Sequence, residues 1–136
     1  MVRRSGWDLI LEGRSPMERV PVESFIPKEE RDFFRDAVIA RNSGKALAGL
    51  FYLRTFVEQF ARRKVKPSGR LSGDELMSAY ADTIPLPQRD QMPSLRELYE
   101  KLSEALHSAK EDSILFEEVK TEIERHFDFR RLFRII

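Results

Sequence analysis

Residues 46–64 read ALAGLFYLRTFVEQFARRK, and the spacing of their apolar side chains decides the fold. Ala46, Leu50, Leu53, Val57 and Phe60 step by four and three, the repeat that puts side chains on one face of a helix. Leu47, Phe51, Phe56 and Ala61 widen that stripe, so the segment from about Ser43 to Lys64 is expected to be the central, most buried helix. Along its polar edge Arg54, Glu58 and Arg62 recur at i, i+4 and i+8, a spacing at which charge pairs add roughly 0.2–0.5 kcal/mol each.

Helical signals continue on both sides. Pro27 suits a first helical turn, where its missing N–H costs nothing, and Glu29 and Glu30 suit the positive end of the dipole. Phe33, Ala37 and Ala40, flanked by Phe34, Val38 and Ile39, then give an apolar face that ends at Asn42-Ser43-Gly44. After Lys66-Pro67-Ser68-Gly69, Ser72 and Glu75 have the spacing of a capping box and open a short helix over about Gly73 to Asp82. Pro85, Pro87 and Pro93 are expected to forbid regular helix across the next connection. Ser94 and Glu97 repeat the capping spacing at the head of PSLRELYEKLSEALHSAKED, residues 93–112, whose Leu95, Leu98, Leu102 and Leu106 share one face. A last helix is expected over about Asp112 to His126, followed by FDFRRLFRII, aromatic and basic in alternation.

The first 24 residues differ. Trp7, Leu9 and Leu11 alternate with polar neighbours, Gly13-Arg14-Ser15-Pro16 resembles a turn, and Val20 and Val22 lie two apart with Pro21 between them. The expected organisation is thus an N-terminal arm over 1–24, extended or a β-hairpin, and a mainly α domain over 25–136, an antiparallel bundle of four to five helices.

With 136 residues the chain fits one domain, and its 35% charged residues suit helices with charged outer faces. Lys and Arg number 24 against 23 Asp and Glu, so a net charge of +1 gives no global field to draw nucleic acid or membrane; any electrostatic partner is recruited by a local patch. The absence of cysteine excludes disulfides and thiolate chemistry and fits a reducing cytoplasm. MVRRSGWDLILEG is too interrupted for a signal peptide, and no run approaches the ~20 apolar residues of a membrane span. The abrupt, hydrophobic C-terminus fits a chain cut from a longer protein.

Two features could carry function. On the 93–112 helix, Arg96, Glu100, Ser103 and His107 form a polar row beside the apolar face. There His107 could act as a general acid or base, Arg96 could hold an anion, and Glu100 or Ser103 could orient the imidazole; the same row suits an ordinary solvated face. His126 reads as a complement to a helix C-terminus. Two histidines 19 positions apart, without HExxH or ExxH spacing, indicate no metal site, and no cofactor is implied. The second feature is charge segregation. Arg62, Arg63, Lys64, Lys66 and Arg70 fall within nine positions, Arg125, Arg130, Arg131 and Arg134 lie among aromatics, and Glu111 to Glu124 holds six acidic residues against Lys120. Such basic clusters can hold phosphates, as in RNA, or pair with acidic helices of the same or a second chain.

The FYLRTFVEQFARR helix followed by SLRELYEKLSEALH resembles, over roughly residues 27–127, bacterial helical domains grouped with the HEPN superfamily. In HEPN ribonucleases that resemblance implies a dimer whose facing helices present an Arg-x(4–6)-His motif to cut RNA. Here His107 matches the histidine, Lys101 stands six residues before it, and Arg96 eleven before it. The resemblance therefore implies either a metal-independent RNA-cleaving or RNA-binding domain that uses His107, Lys101 and Arg96, or a non-catalytic binding and dimerisation module. The second expectation also rests on the apolar tail: Phe127, Phe129, Leu132, Phe133, Ile135 and Ile136 lie within ten residues, more than a free terminus exposes without a homodimer or a protein partner.

Overall fold

The computed structural model describes residues 19–135, and within them the chain is a helical bundle without strands. The hairpin or arm expected over 1–24 falls largely on residues outside that range. After a turn closed by Ile26 N–H on Glu23 C=O, a single 3-10 turn, Lys28–Glu30, leads into α1, Arg31–Asn42. Then come α2 Ala46–Val65, α3 Gly73–Asp82, the one-turn α4 Leu86–Arg89, α5 Leu95–Ser108 and α6 Ser113–Leu132.

The periodicity of α2 places it at the centre. Leu50, Leu53, Phe56, Val57, Phe60 and Ala61 are all at most 1% exposed, and α2 packs against α1, α3, α5 and α6. Each such large side chain contributes on the order of 1.5–3 kcal/mol through burial. Edge-on aromatic pairs run through this core: Phe34–Phe56 at 5.3 Å, Phe56–Phe127 at 5.6 Å, Phe127–Phe60 at 4.6 Å and Phe60–Tyr80 at 5.4 Å between centroids.

The helix ends are fixed by specific bonds. Ser72 and Glu75 make a complete capping box on α3. On α5 only the serine half forms, Ser94 Oγ accepting from Glu97 N–H at 3.2 Å. Asp112 caps α6 by accepting from Leu115 N–H. For α2 the cap comes from 64 residues away: both Glu111 carboxylate oxygens accept from Leu47 N–H, at 3.0 and 3.1 Å. A carboxylate there also meets the positive end of the α2 dipole. Gly44, at φ +81°, makes the tight turn between α1 and α2 without strain.

Three expectations change. The buried face of α1 is Phe34 and Ala37, preceded by Ile26 and Glu30, while Phe33 and Ala40 are half-buried. The proline-rich connection contains the single turn of α4, because Pro87 in a first turn removes an N–H that had no helical partner. Most consequentially, α6 does not stop near His126 but runs to Leu132, so His126 lies inside the helix and most of the basic-aromatic tail is helical. That tail also packs on its own chain: Phe127 is 3% exposed, and Phe129, Phe133 and Ile135 rest against the core, whereas Leu132 remains exposed.

Gly49 shows how closely the helices approach. A Cβ there would sit 2.8 Å from Phe116 and 3.0 Å from the Ala37 carbonyl oxygen. Gly49→Val is expected to destabilise by about 2–3 kcal/mol despite the removal of a helical glycine, because the obstacle includes α1 backbone. Urea denaturation monitored by circular dichroism measures it; an unchanged midpoint would mean that α1 shifts freely.

Candidate functional site

The residues proposed for chemistry on α5 do not converge. His107 is exposed and its side chain makes no hydrogen bond or ion pair among the described residues; Lys101 is also exposed. Arg96 and Glu100 form an exposed i, i+4 pair at 3.8 Å. Ser103 turns inward, where its Oγ accepts from Arg54 Nε at 3.0 Å. Arg54 also donates from Nη2 to Tyr99 Oη, a hydroxyl that lies 3.5 Å from Glu58 Oε1, and Glu58 takes Arg62 Nη2 at 3.0 Å. Arg54 and Glu58 of α2 thus join Ser103 and Tyr99 of α5, while Arg62 braces Glu58 within α2. No group of three or more His, Asp or Glu side chains suited to a metal ion occurs among the described residues.

The two basic clusters behave differently. Lys66 and Arg70 are exposed past the end of α2, and Arg62 pairs with Glu58. Arg63 and Lys64, in the last turn of α2, meet Arg130 and Arg131, in the last turn of α6, around a cleft of about 400 Å³. Its apolar lining comes from Phe25, Pro27, Phe60, Phe127 and Ile135, and Glu29 stands at its edge. Basic residues suit the last turn of any helix because the dipole is negative there. Two helices ending at the same place turn that local preference into a concentrated positive site.

Phe60 organises these cations. The guanidinium carbons of Arg63 and Arg130 lie 5.7 and 5.3 Å from its ring centroid, and Lys64 Nζ lies 6.0 Å away. Such contacts offset part of the cost of gathering like charges, at roughly 0.5–1 kcal/mol each. Arg63 is otherwise compensated. Its Nε and Nη2 grip both oxygens of Glu30 at 2.7 and 2.9 Å, and Nη2 is 3.2 Å from Glu29. Arg131 pairs with Asp128 and lies over Phe25. Lys64 and Arg130 have no carboxylate within ion-pair distance among the described residues. Burial, with Arg130 and Arg63 as like-charged neighbours, pulls the Lys64 ammonium below its usual pKa.

Arg130 is 6% exposed and anchored from behind. Nη1 donates to Tyr80 Oη at 3.0 Å, Tyr80 Oη is 2.7 Å from His126 Nε2, and His126 Nδ1 is 2.6 Å from Pro93 C=O. The carbonyl can only accept, which assigns the proton of the neutral imidazole to Nδ1 and leaves Nε2 to accept from the Tyr80 hydroxyl. Burial pushes Tyr80 well above the usual phenol range and His126 down to about 4, so both are neutral near pH 7. The relay uses one Arg130 N–H and leaves the others facing the cleft without a protein acceptor among the described residues.

Neither His126 nor Tyr80 stood out in the sequence. The signal was available, since Phe116, Val119 and Ile123 step by three and four, and the same step continues to His126, Phe127 and Arg130. Comparison with protein-family models, with curated proteins and with solved structures yields no match.

Proposed function

We propose that this chain is a non-catalytic helical binding module whose recognition site is the basic cleft at the joined ends of α2 and α6. The observation that carries this reading is Arg130: a guanidinium 6% exposed, held from behind by Tyr80, and lacking a carboxylate partner among the described residues. A buried cation without a counter-charge costs stability, and an anionic partner offsets that cost. The apolar tail gives self-association little support, because most of it is packed on its own core.

Immobilised heparin at low ionic strength and pH 7.5 tests the cleft with a generic polyanion. The protein is expected to be retained despite its net charge of +1, because the attraction is local. Lys64→Gln and Arg131→Gln should elute at lower salt, whereas the pair Arg96→Gln and Lys101→Gln on α5 should elute with the parent. Passage without retention overturns the reading. Metal-independent RNA cleavage that disappears in His107→Ala would move the function to the α5 row and favour the RNA-cleaving alternative.

A further inference from the structure

We infer that the cleft binds a phosphate monoester, with its phosphoryl oxygens between Lys64 Nζ and the Arg130 guanidinium and a compact apolar body against Phe25, Pro27 and Ile135. This rests on the reading of the cleft as the recognition site and names the class of small molecule that occupies it.

Charge pairing is the first reason. Of the four cations in the cleft, Arg63 is met by Glu30 and Glu29 and Arg131 by Asp128. Lys64 and Arg130 are left without a carboxylate among the described residues, two cations lining one cleft, and a phosphate monoester is close to doubly negative at neutral pH. Donor geometry is the second. An ammonium offers three N–H groups around a point charge and a guanidinium offers a planar fork, so together they serve several oxygens of a tetrahedral group, more than a single carboxylate presents. Burial first, and then Arg130 and Arg63 as like charges, hold Lys64 below its usual pKa, and a dianion in the cleft would offset the like-charge part. Size is the third. About 400 Å³ lies in the range of roughly 300–1,000 Å³ typical of small-molecule sites, and half-buried Phe25, Pro27 and Ile135 give the lining an apolar part. Pre-organisation is the fourth, because the Tyr80–His126–Pro93 relay fixes Arg130 before anything binds. Glu29 opposes an anion from the rim, which gives the site a testable asymmetry.

Phenyl phosphate is the probe, titrated at pH 7.5 against the whole chain and followed by amide NMR shifts and calorimetry. Saturable shifts are expected at Phe25, Lys64, Arg130 and Arg131. Phenyl sulfate, the same shape with one negative charge, should bind at least about tenfold more weakly, and inorganic phosphate, which lacks the ring, should also bind more weakly. Lys64→Gln should weaken phenyl phosphate about tenfold, and Glu29→Gln should tighten it about threefold. Because Arg130 is buried, Arg130→Lys is paired with Lys64→Gln, a substitution at a half-buried site that leaves the core intact. Equal binding of phenyl sulfate, or shifts confined to other surfaces, overturns the assignment. If heparin retention depends on Lys64 while phenyl phosphate does not bind, the monoester assignment falls and the anion cleft stands; if neither is seen, both fall.

Discussion

Arg63→Met is expected to cost about 2–3 kcal/mol in urea denaturation at pH 7, far more than its place near the end of a helix suggests. Glu30 is the reason. Its side chain is 6% exposed, it sits at the junction of the 3-10 turn and α1, and both carboxylate oxygens are taken by Arg63 Nε and Nη2. Removing the guanidinium leaves a buried carboxylate without its partner, a change that costs about 3–5 kcal/mol when a pair is wholly buried. Arg63 itself is one-third exposed, so water can reach the vacated space and the expected value is lower. Glu30→Gln combined with Arg63→Met should recover at least half of the loss, since an amide is cheaper to bury than a carboxylate. A single-mutant loss below about 0.5 kcal/mol would place this pair with ordinary surface ion pairs, leaving apolar packing to hold the start of α1 to the end of α2.

The helices that could be read from the sequence were those whose apolar stripe and caps agree. For α3 the capping box at Ser72 and Glu75 gave the observed span Gly73–Asp82, and for α2 the stripe gave both its course and its central position. The end of α6 was not legible by the same means. Arg130 occupies a core-facing step of the heptad, and a charged residue there reads as the end of a buried face. The structure shows why it is tolerated: Tyr80, 50 residues away, accepts one of its N–H bonds, and Phe60 and Tyr80 lie beside its guanidinium. Local pattern carries no information about partners that distant. The cleft was half legible for the same reason. Both basic clusters are visible in the sequence, but their meeting depends on α2 and α6 ending at the same place, which is a property of the packed bundle.

The polar row of α5 illustrates the opposite case. Arg96, Glu100 and His107 lie on the exposed side, as their spacing predicts, yet Ser103 in the same row is drawn in by Arg54. A side chain at the margin of a helix face takes its role from the neighbouring helix. Spacing alone places it to within about one residue's rotation, roughly 100°.

His126 predicts the second large effect, a loss of stability on mild acidification that a non-titrating variant lacks. Its ordinary pKa of 6.5 falls to about 4 in the fold, first because burial penalises the charged ring and then because Arg130 is nearby, with the Pro93 carbonyl acting in the other direction. Above pH 6.5 neither the folded nor the unfolded state binds the proton, and stability does not depend on this group. Between 6.5 and about 4 the unfolded chain takes up a proton that the folded chain refuses, so folding loses about 1.4 kcal/mol per pH unit, about 3 kcal/mol in all. Below about 4 both states are protonated and this loss stops growing. His126→Gln is the control, because an amide can donate to Pro93 C=O and accept from Tyr80 Oη without titrating. The variant should be less stable than the parent at pH 7.5, through lost ring packing, and should close that gap by about 2–3 kcal/mol at pH 4.5. Carboxylates elsewhere titrate in both proteins and cancel in the comparison. Parallel stability profiles for the two proteins from pH 7.5 to 4.5 would show that His126 accepts its proton within the fold, and that the relay behind Arg130 can rearrange to carry a second positive charge.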